Sequence, residues 1–139
     1  MGAGVNEVNG RLLRKGDYIY GSFVKPEAVD GYINGVNPSD RGDVLGRFPF
    51  SEASVDEAVD YAGAGYRVWR RMTINDRAGA VHRFRDQMAT HQETISRLIT
   101  RETGKPLWEA RQELLATIRA LDLLLDEGVS MLAPRVIDD

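Results

Sequence analysis

A chain of 139 residues is the size of one ordinary domain and long enough to bury a core. It is 42% hydrophobic and 28% charged, which excludes a disordered polar chain, and its net charge of -3 argues against a nucleic-acid partner, which needs a basic excess. It holds no cysteine, so disulfides, thiolate metal sites and a cysteine nucleophile are excluded within it, and no apolar run approaches the roughly 18 residues of a membrane span.

In chain order, residues 1–16 carry Gly2, Gly4, Asn6, Asn9 and Gly10 and read as a loosely held tail. No signal peptide is legible there, so a cytoplasmic address and no membrane partner are expected. Residues 17–50 read as short strands and turns. Tyr18 to Val24 fits two β runs around a Gly21-Ser22 turn, and Tyr32-Ile33 and Val44-Leu45 are further strand candidates. Between those two lies Asn37-Pro38-Ser39-Asp40-Arg41-Gly42, a dense turn signal.

Residues 54–128 change to helical periodicity. Ser54 followed by Glu57 is a capping-box pattern, with Val55, Ala58, Val59, Ala62, Tyr66 and Trp69 on one face of the helix it opens. Gly63 and Gly65 weaken that helix by about 1 kcal/mol each relative to alanine, so packing must hold it. Thr73 with Asp76 caps a second helix, whose apolar positions include Ala78, Val81, Phe84 and Met88. A short third helix carries Ile95 to Ile99. Arg101-Glu102-Thr103-Gly104-Lys105-Pro106 then combines a helix stop, a cation and a helix start. Gly104 takes the left-handed conformation without the cost of a Cβ, and Pro106 suits a first turn. The fourth helix runs from about Pro106 to about Glu127, with a stop at Gly128 and Pro134 barring continuation. The expected fold is mainly α with short N-terminal β-strands.

Several chemical motifs fail on inspection. Gly63-Ala64-Gly65 begins like a dinucleotide fingerprint, but Val68 stands where the third glycine belongs and no strand precedes it. Pro106 follows Gly104-Lys105 where a phosphate loop needs Ser or Thr. His82 and His91 have no third ligand at metal spacing. Tyr20-Gly21-Ser22-Phe23 lacks the second glycine of a nucleophile elbow. Arg67, Arg70, Arg71, Arg77, Arg83 and Arg85 interleave with Asp76 and Asp86 as a solvated face, and Trp69 and Trp108 read as core packing. Read this way, no residue set runs a reaction.

Tyr18-Ile19-x-Gly21-x-Phe23-Val24, then Asn37-Pro38-x-x-x-Gly42-x-Val44-Leu45, then the helix ending near Trp69, resembles the opening of an aldehyde dehydrogenase. Asp76-Arg77 and Glu102-Thr103-Gly104-Lys105-Pro106, with Glu113 beyond, continue that resemblance in order and spacing. Ile99 to Ala110 is especially similar to the succinylglutamate semialdehyde dehydrogenase branch. The resemblance covers about residues 17–133.

The resemblance implies a partial aldehyde dehydrogenase-like α/β fold, with 17–139 as the N-terminal portion of a dinucleotide-binding domain. It implies oxidation of an aldehyde to a carboxylate with NAD or NADP in the full-length enzyme. The catalytic cysteine, oxyanion asparagine, general-base glutamate and nicotinamide site of the family have no counterpart here, so no catalytic or cofactor-binding residue carries over and no cofactor is expected for this chain alone. A structural Na or K site held in some members matches Val36, through its carbonyl, and Glu102, through its carboxylate, with a further ligand beyond residue 139. The expected partner is the remainder of the enzyme or a second copy, through faces carrying Val59, Tyr66, Leu114, Ile118 and Leu121. The alternative is a free-standing helical protein-interaction module derived from the family.

Overall fold

The computed structural model describes residues 7–8, 11–12 and 16–132. The chain divides into two compact units, Met1–Arg71 with Leu98–Lys105, and Met72–Arg97 with Pro106–Asp139. The described residues are mostly helical, preceded by short antiparallel strands. None of the described helices is long and apolar enough to cross a membrane.

In the first unit, β1 (Glu7–Val8) pairs with β2 (Arg11–Leu12), inside the stretch read as a tail. The remainder of 1–15 lies outside the described residues. β3 (Asp17–Ile19) pairs with β4 (Ser22–Val24) in the register Tyr18 to Phe23. The turn falls on Tyr20-Gly21 rather than Gly21-Ser22, with φ of 50° and 78°. A two-residue hairpin of this hand needs positive φ at both central positions. Gly21 takes one freely. Tyr20 takes the other with its ring stacked on Tyr61 of the following helix, centroids 4.8 Å apart.

β5 (Gly31–Val36) pairs with β6 (Val44–Phe50), with a register irregularity between Gly35 and Val36. The extra residue on β6 is Leu45, whose side chain is buried with Ile19 in this unit. α1 (Ala53–Trp69) follows, and here the structure corrects the cap. The N-cap is Glu52 and makes no side-chain cap bond, while Ser54 is already inside the first turn, donating its N–H to the Ser51 carbonyl at 3.3 Å. Asp30, at the entry to β5, reaches across instead and accepts the Glu52 N–H at 2.7 Å. No residue of α1 is buried. Trp69, expected in a core, is exposed for that reason.

In the second unit, α2 (Ile74–Thr90) starts as the sequence indicates: Thr73 Oγ1 accepts the Asp76 N–H at 3.1 Å and donates to Asp76 Oδ2 at 2.7 Å. α3 (Gln92–Thr103) contributes its first half to this unit and its second to the other. α4 (Leu107–Leu123) buries Ala110, Leu114 and Ile118, an i, i+4, i+8 stripe. Leu114 and Ile118, expected to stand uncovered, are buried, and α2 packs on α4 in this unit. Arg85 of α2 forks onto Asp122 of α4 at 2.7 and 3.1 Å. Trp108 lies about 100° around the helix from the Leu107–Leu114 stripe, so it faces out rather than into the core.

The fourth helix does not stop at Gly128. A π-helical segment (Leu124–Gly128) leads into α5 (Val129–Met131), and Gly128 keeps a helical φ of -63°. Glycine permits the left-handed stop without compelling it. Pro134, the expected bar to further helix, lies outside the described residues.

Candidate functional site

A polar constellation of the first unit joins the β5–β6 loop to the end of α3. The loop folds on itself first. Asn37 Oδ1 accepts the Ser39 N–H at 3.0 Å, and Asp40 Oδ1 accepts the Gly42 N–H at 2.9 Å. The Asn37 N–H donates to the Asp43 carbonyl at 3.0 Å, closing the loop at its base. These are the local side-chain bonds that Asn and Asp favour in turns, which is why the turn signal was readable.

Asp43 then projects to Arg101. Arg101 Nε donates to Asp43 Oδ2 at 3.0 Å and its Nη2 to Oδ1 at 2.8 Å, a bidentate pair. Asn37 Nδ2 donates to Asp43 Oδ2 at 3.2 Å. The Arg101 hydrogen bonds, then that of Asn37, hold the Asp43 carboxyl below the usual carboxylate range. A carboxylate so depressed and so occupied is a poor general base, so the pair clamps rather than reacts.

The turn after α3 completes the constellation. The Gly104 N–H donates to the Thr100 carbonyl at 2.8 Å, and Gly104 has a φ of 77°. A Cβ there would stand 2.7 Å from Ser39 Oγ and 3.2 Å from Pro38 Cβ. Glycine is required twice, by its φ and by the approach of Ser39. Ser39 Oγ donates to the Gly104 carbonyl at 2.6 Å, and Thr103 Oγ1 to the Ile99 carbonyl at 2.7 Å.

Val36 and Glu102 each adjoin a member of this constellation in sequence, Val36 before Asn37 at the end of β5 and Glu102 after Arg101 in the last turn of α3. Both are exposed. His82 is exposed and His91 half-buried, and the described residues contain no group of three or more His, Cys, Asp or Glu placed to hold a metal. Gly63 and Gly65 sit inside α1 rather than at a strand-to-helix turn. The described residues therefore do not build the glycine loop that a dinucleotide pyrophosphate needs. The unit also carries an open groove of about 580 Å³, lined by Tyr18, Ile19, Phe50, Val55, Val59 and Ala62 among others. Its wall is mainly apolar, with Asp17, Ser51, Glu52 and Ser54 as the polar residues of its lining.

The sequence pointed to Gly104 and to the Asn37–Gly42 turn but missed the Asp43–Arg101 and Asp30–Glu52 links. No periodicity or local spacing marks partners 58 and 22 residues apart.

Comparison with known proteins bears on what this arrangement belongs to. The N-succinylglutamate 5-semialdehyde dehydrogenase of Chromobacterium violaceum is 37% identical over 89 residues, 64% of this chain and 18% of that protein. The glutarate-semialdehyde dehydrogenase of Pseudomonas aeruginosa is 33% identical over 119 residues, 85% of this chain and 24% of that protein. The malonate-semialdehyde dehydrogenase of Listeria innocua is 36% identical over 99 residues, 70% of this chain and 20% of that protein. The chain thus spans about a fifth to a quarter of the length of the curated relatives it matches. The model of the aldehyde dehydrogenase family matches residues 23–138, and the chain belongs to that family.

Proposed function

We propose that this chain is the N-terminal portion of an aldehyde dehydrogenase that oxidises an aldehyde to a carboxylate with NAD or NADP, and that it is catalytically silent by itself. The observation that carries the reading is the family match over 23–138 together with a share of only 18–24% of the relatives' length. The absence of cysteine from all 139 residues supports the second half, because the resemblance implies attack by a thiolate. In the whole enzyme the Asp43–Arg101 clamp and the Gly104 turn hold the helical flank in register with the strands. The substrate class is an aldehyde bearing a second, anionic group. Support comes from relatives named for semialdehydes of succinylglutamate, glutarate and malonate, and from one named for 3-sulfolactaldehyde. The same family match supports this reading over a free-standing interaction module.

A monovalent cation at Val36 and Glu102 belongs to the same proposal. The adjacency of both to the Asn37–Asp43–Arg101 constellation supports it. One carbonyl and one carboxylate do not fill a cation's shell, so the site is complete only with donors from elsewhere in the enzyme.

Intact mass of the gene product in its native cells tests the proposal. A polypeptide several times heavier than 15.5 kDa, with a cysteine in a glycine-rich setting, is expected. A native product of 15.5 kDa with no co-purifying dehydrogenase chain would overturn it.

A further inference from the structure

Tyr20 is the one non-glycine residue with a positive φ among those described, at 50°. The first central position of such a hairpin turn suits Gly, Asn or Asp, which enter the left-handed region at lower cost. A residue held in a disfavoured conformation is a lead to function, and here the lead is the side chain. It lies on Tyr61 of α1, ring centroids 4.8 Å apart and planes 27° from parallel. Tyr20 is 75% exposed and Tyr61 40%, so both phenols reach the surface of this chain. The other three of the five tyrosines have different neighbours. Tyr18 meets Phe23 edge-on, Tyr32 lies under the Arg47 guanidinium, and Arg70 stands over the ring of Tyr66.

We propose that Tyr20 and Tyr61 form an oxidative cross-linking site, at which one-electron oxidants join the two rings by a carbon–carbon bond, as dityrosine. Each phenol gives one electron to the oxidant and its hydroxyl proton to water. The two phenoxyl radicals bond through carbons ortho to oxygen, and the hydrogens on those carbons move as protons to the oxygens. Both phenols are restored, and the chain is lighter by two hydrogen atoms. Rings already stacked need only a small rotation to bring ortho carbons together, whereas Tyr18, Tyr32 and Tyr66 have no second phenol in contact. The chain has no cysteine, so no thiol within it competes for the radical. The new bond ties the β3–β4 hairpin to α1, and a covalent link between distant residues restricts the unfolded chain as a disulfide does. This inference does not rest on the reading of the chain as part of an enzyme.

Tris(bipyridyl)ruthenium with persulfate, under visible light and at low protein concentration, tests it on the 139-residue protein. The expected product runs as a monomer on denaturing gels, is lighter by two hydrogens, fluoresces blue and unfolds at a higher urea midpoint than the untreated chain. Peptide mapping finds the link between the segments holding Tyr20 and Tyr61. Tyr20→Phe and Tyr61→Phe each keep a ring in the stack but remove a phenol, and each alone abolishes the link within the chain. Tyr18→Phe, Tyr32→Phe and Tyr66→Phe leave it unchanged. One decisive variant lies in the hairpin and the other in the helix, so a fold disturbed in either leaves the other to decide. A link that persists in Tyr20→Phe or Tyr61→Phe, links found only between chains, or tyrosine oxidation without any link overturns the proposal. A linked chain with an unchanged urea midpoint overturns its stapling role.

Discussion

Ser39 gives its hydroxyl proton to the carbonyl of Gly104 at 2.6 Å, across 65 residues of sequence. The bond exists because Gly104 has no Cβ where Ser39 Oγ sits. Gly104→Ala should therefore combine left-handed strain of about 1 kcal/mol with displacement of Ser39, for a loss of about 2 kcal/mol. Urea unfolding measures it. A loss below about 0.5 kcal/mol, the ordinary surface level, would show that the turn relaxes freely.

The Asp43–Arg101 pair predicts a pH dependence. Asp43 titrates lower in the folded chain than unfolded, chiefly through Arg101. Its contribution is therefore complete above the ordinary aspartate value of about 3.9 and is lost as pH falls through the lower folded value. Asp122, lowered by Arg85, and Glu93, lowered first by Arg111, act in the same direction. Asp43→Asn should flatten part of the stability loss in that acid range, read by thermal unfolding against pH. An unchanged acid limb would mean the pair is no tighter folded than unfolded.

Two hydroxyls separate a true cap from an apparent one. Thr73 bonds the Asp76 amide, so Thr73→Ala should cost about 1 kcal/mol. Ser54 lies inside the first turn of α1, so Ser54→Ala should stay within about 0.5 kcal/mol. Chemical unfolding of both variants decides, and equal losses would contradict the assignment of the caps.

Leu114 is enclosed on α4 whereas Val59 is 64% exposed on α1. Leu114→Ala should cost about 2–4 kcal/mol through lost burial and a cavity. Val59→Ala, measured at a concentration where the chain is monomeric, should cost well under 1 kcal/mol. The reverse order would place the core in the wrong helix.

What the sequence shows of this fold is what local spacing encodes. Thr73 and Asp76 stand three apart, and Gly104 with Pro106 punctuates the helices within three residues, so both are readable without coordinates. The hairpin at Tyr20-Gly21 is misread by one residue because either neighbour of Gly21 can share a turn with it, and the stacking of Tyr20 on Tyr61 is non-local. Gly128 misleads because a glycine tolerates helix and stop alike. The apolar stripe of α1 is legible, yet its periodicity does not say whether anything covers it, which is why Trp69 reads as core and is exposed. Asp30 on Glu52 and Arg101 on Asp43 are unions of distant segments, invisible until the chain is folded.

The chain belongs to the aldehyde dehydrogenase family, and the proposal is that it carries none of that chemistry alone. Reduction of NAD and NADP by the pure 139-residue protein, verified by intact mass and offered the semialdehydes of N-succinylglutamate, glutarate and malonate, tests it most directly. The account predicts absorbance growth at 340 nm, the ~340 nm band of reduced nicotinamide, no faster than without protein. Turnover that rises with protein concentration and survives thiol-blocking reagents would contradict it, since it would require a nucleophile other than cysteine.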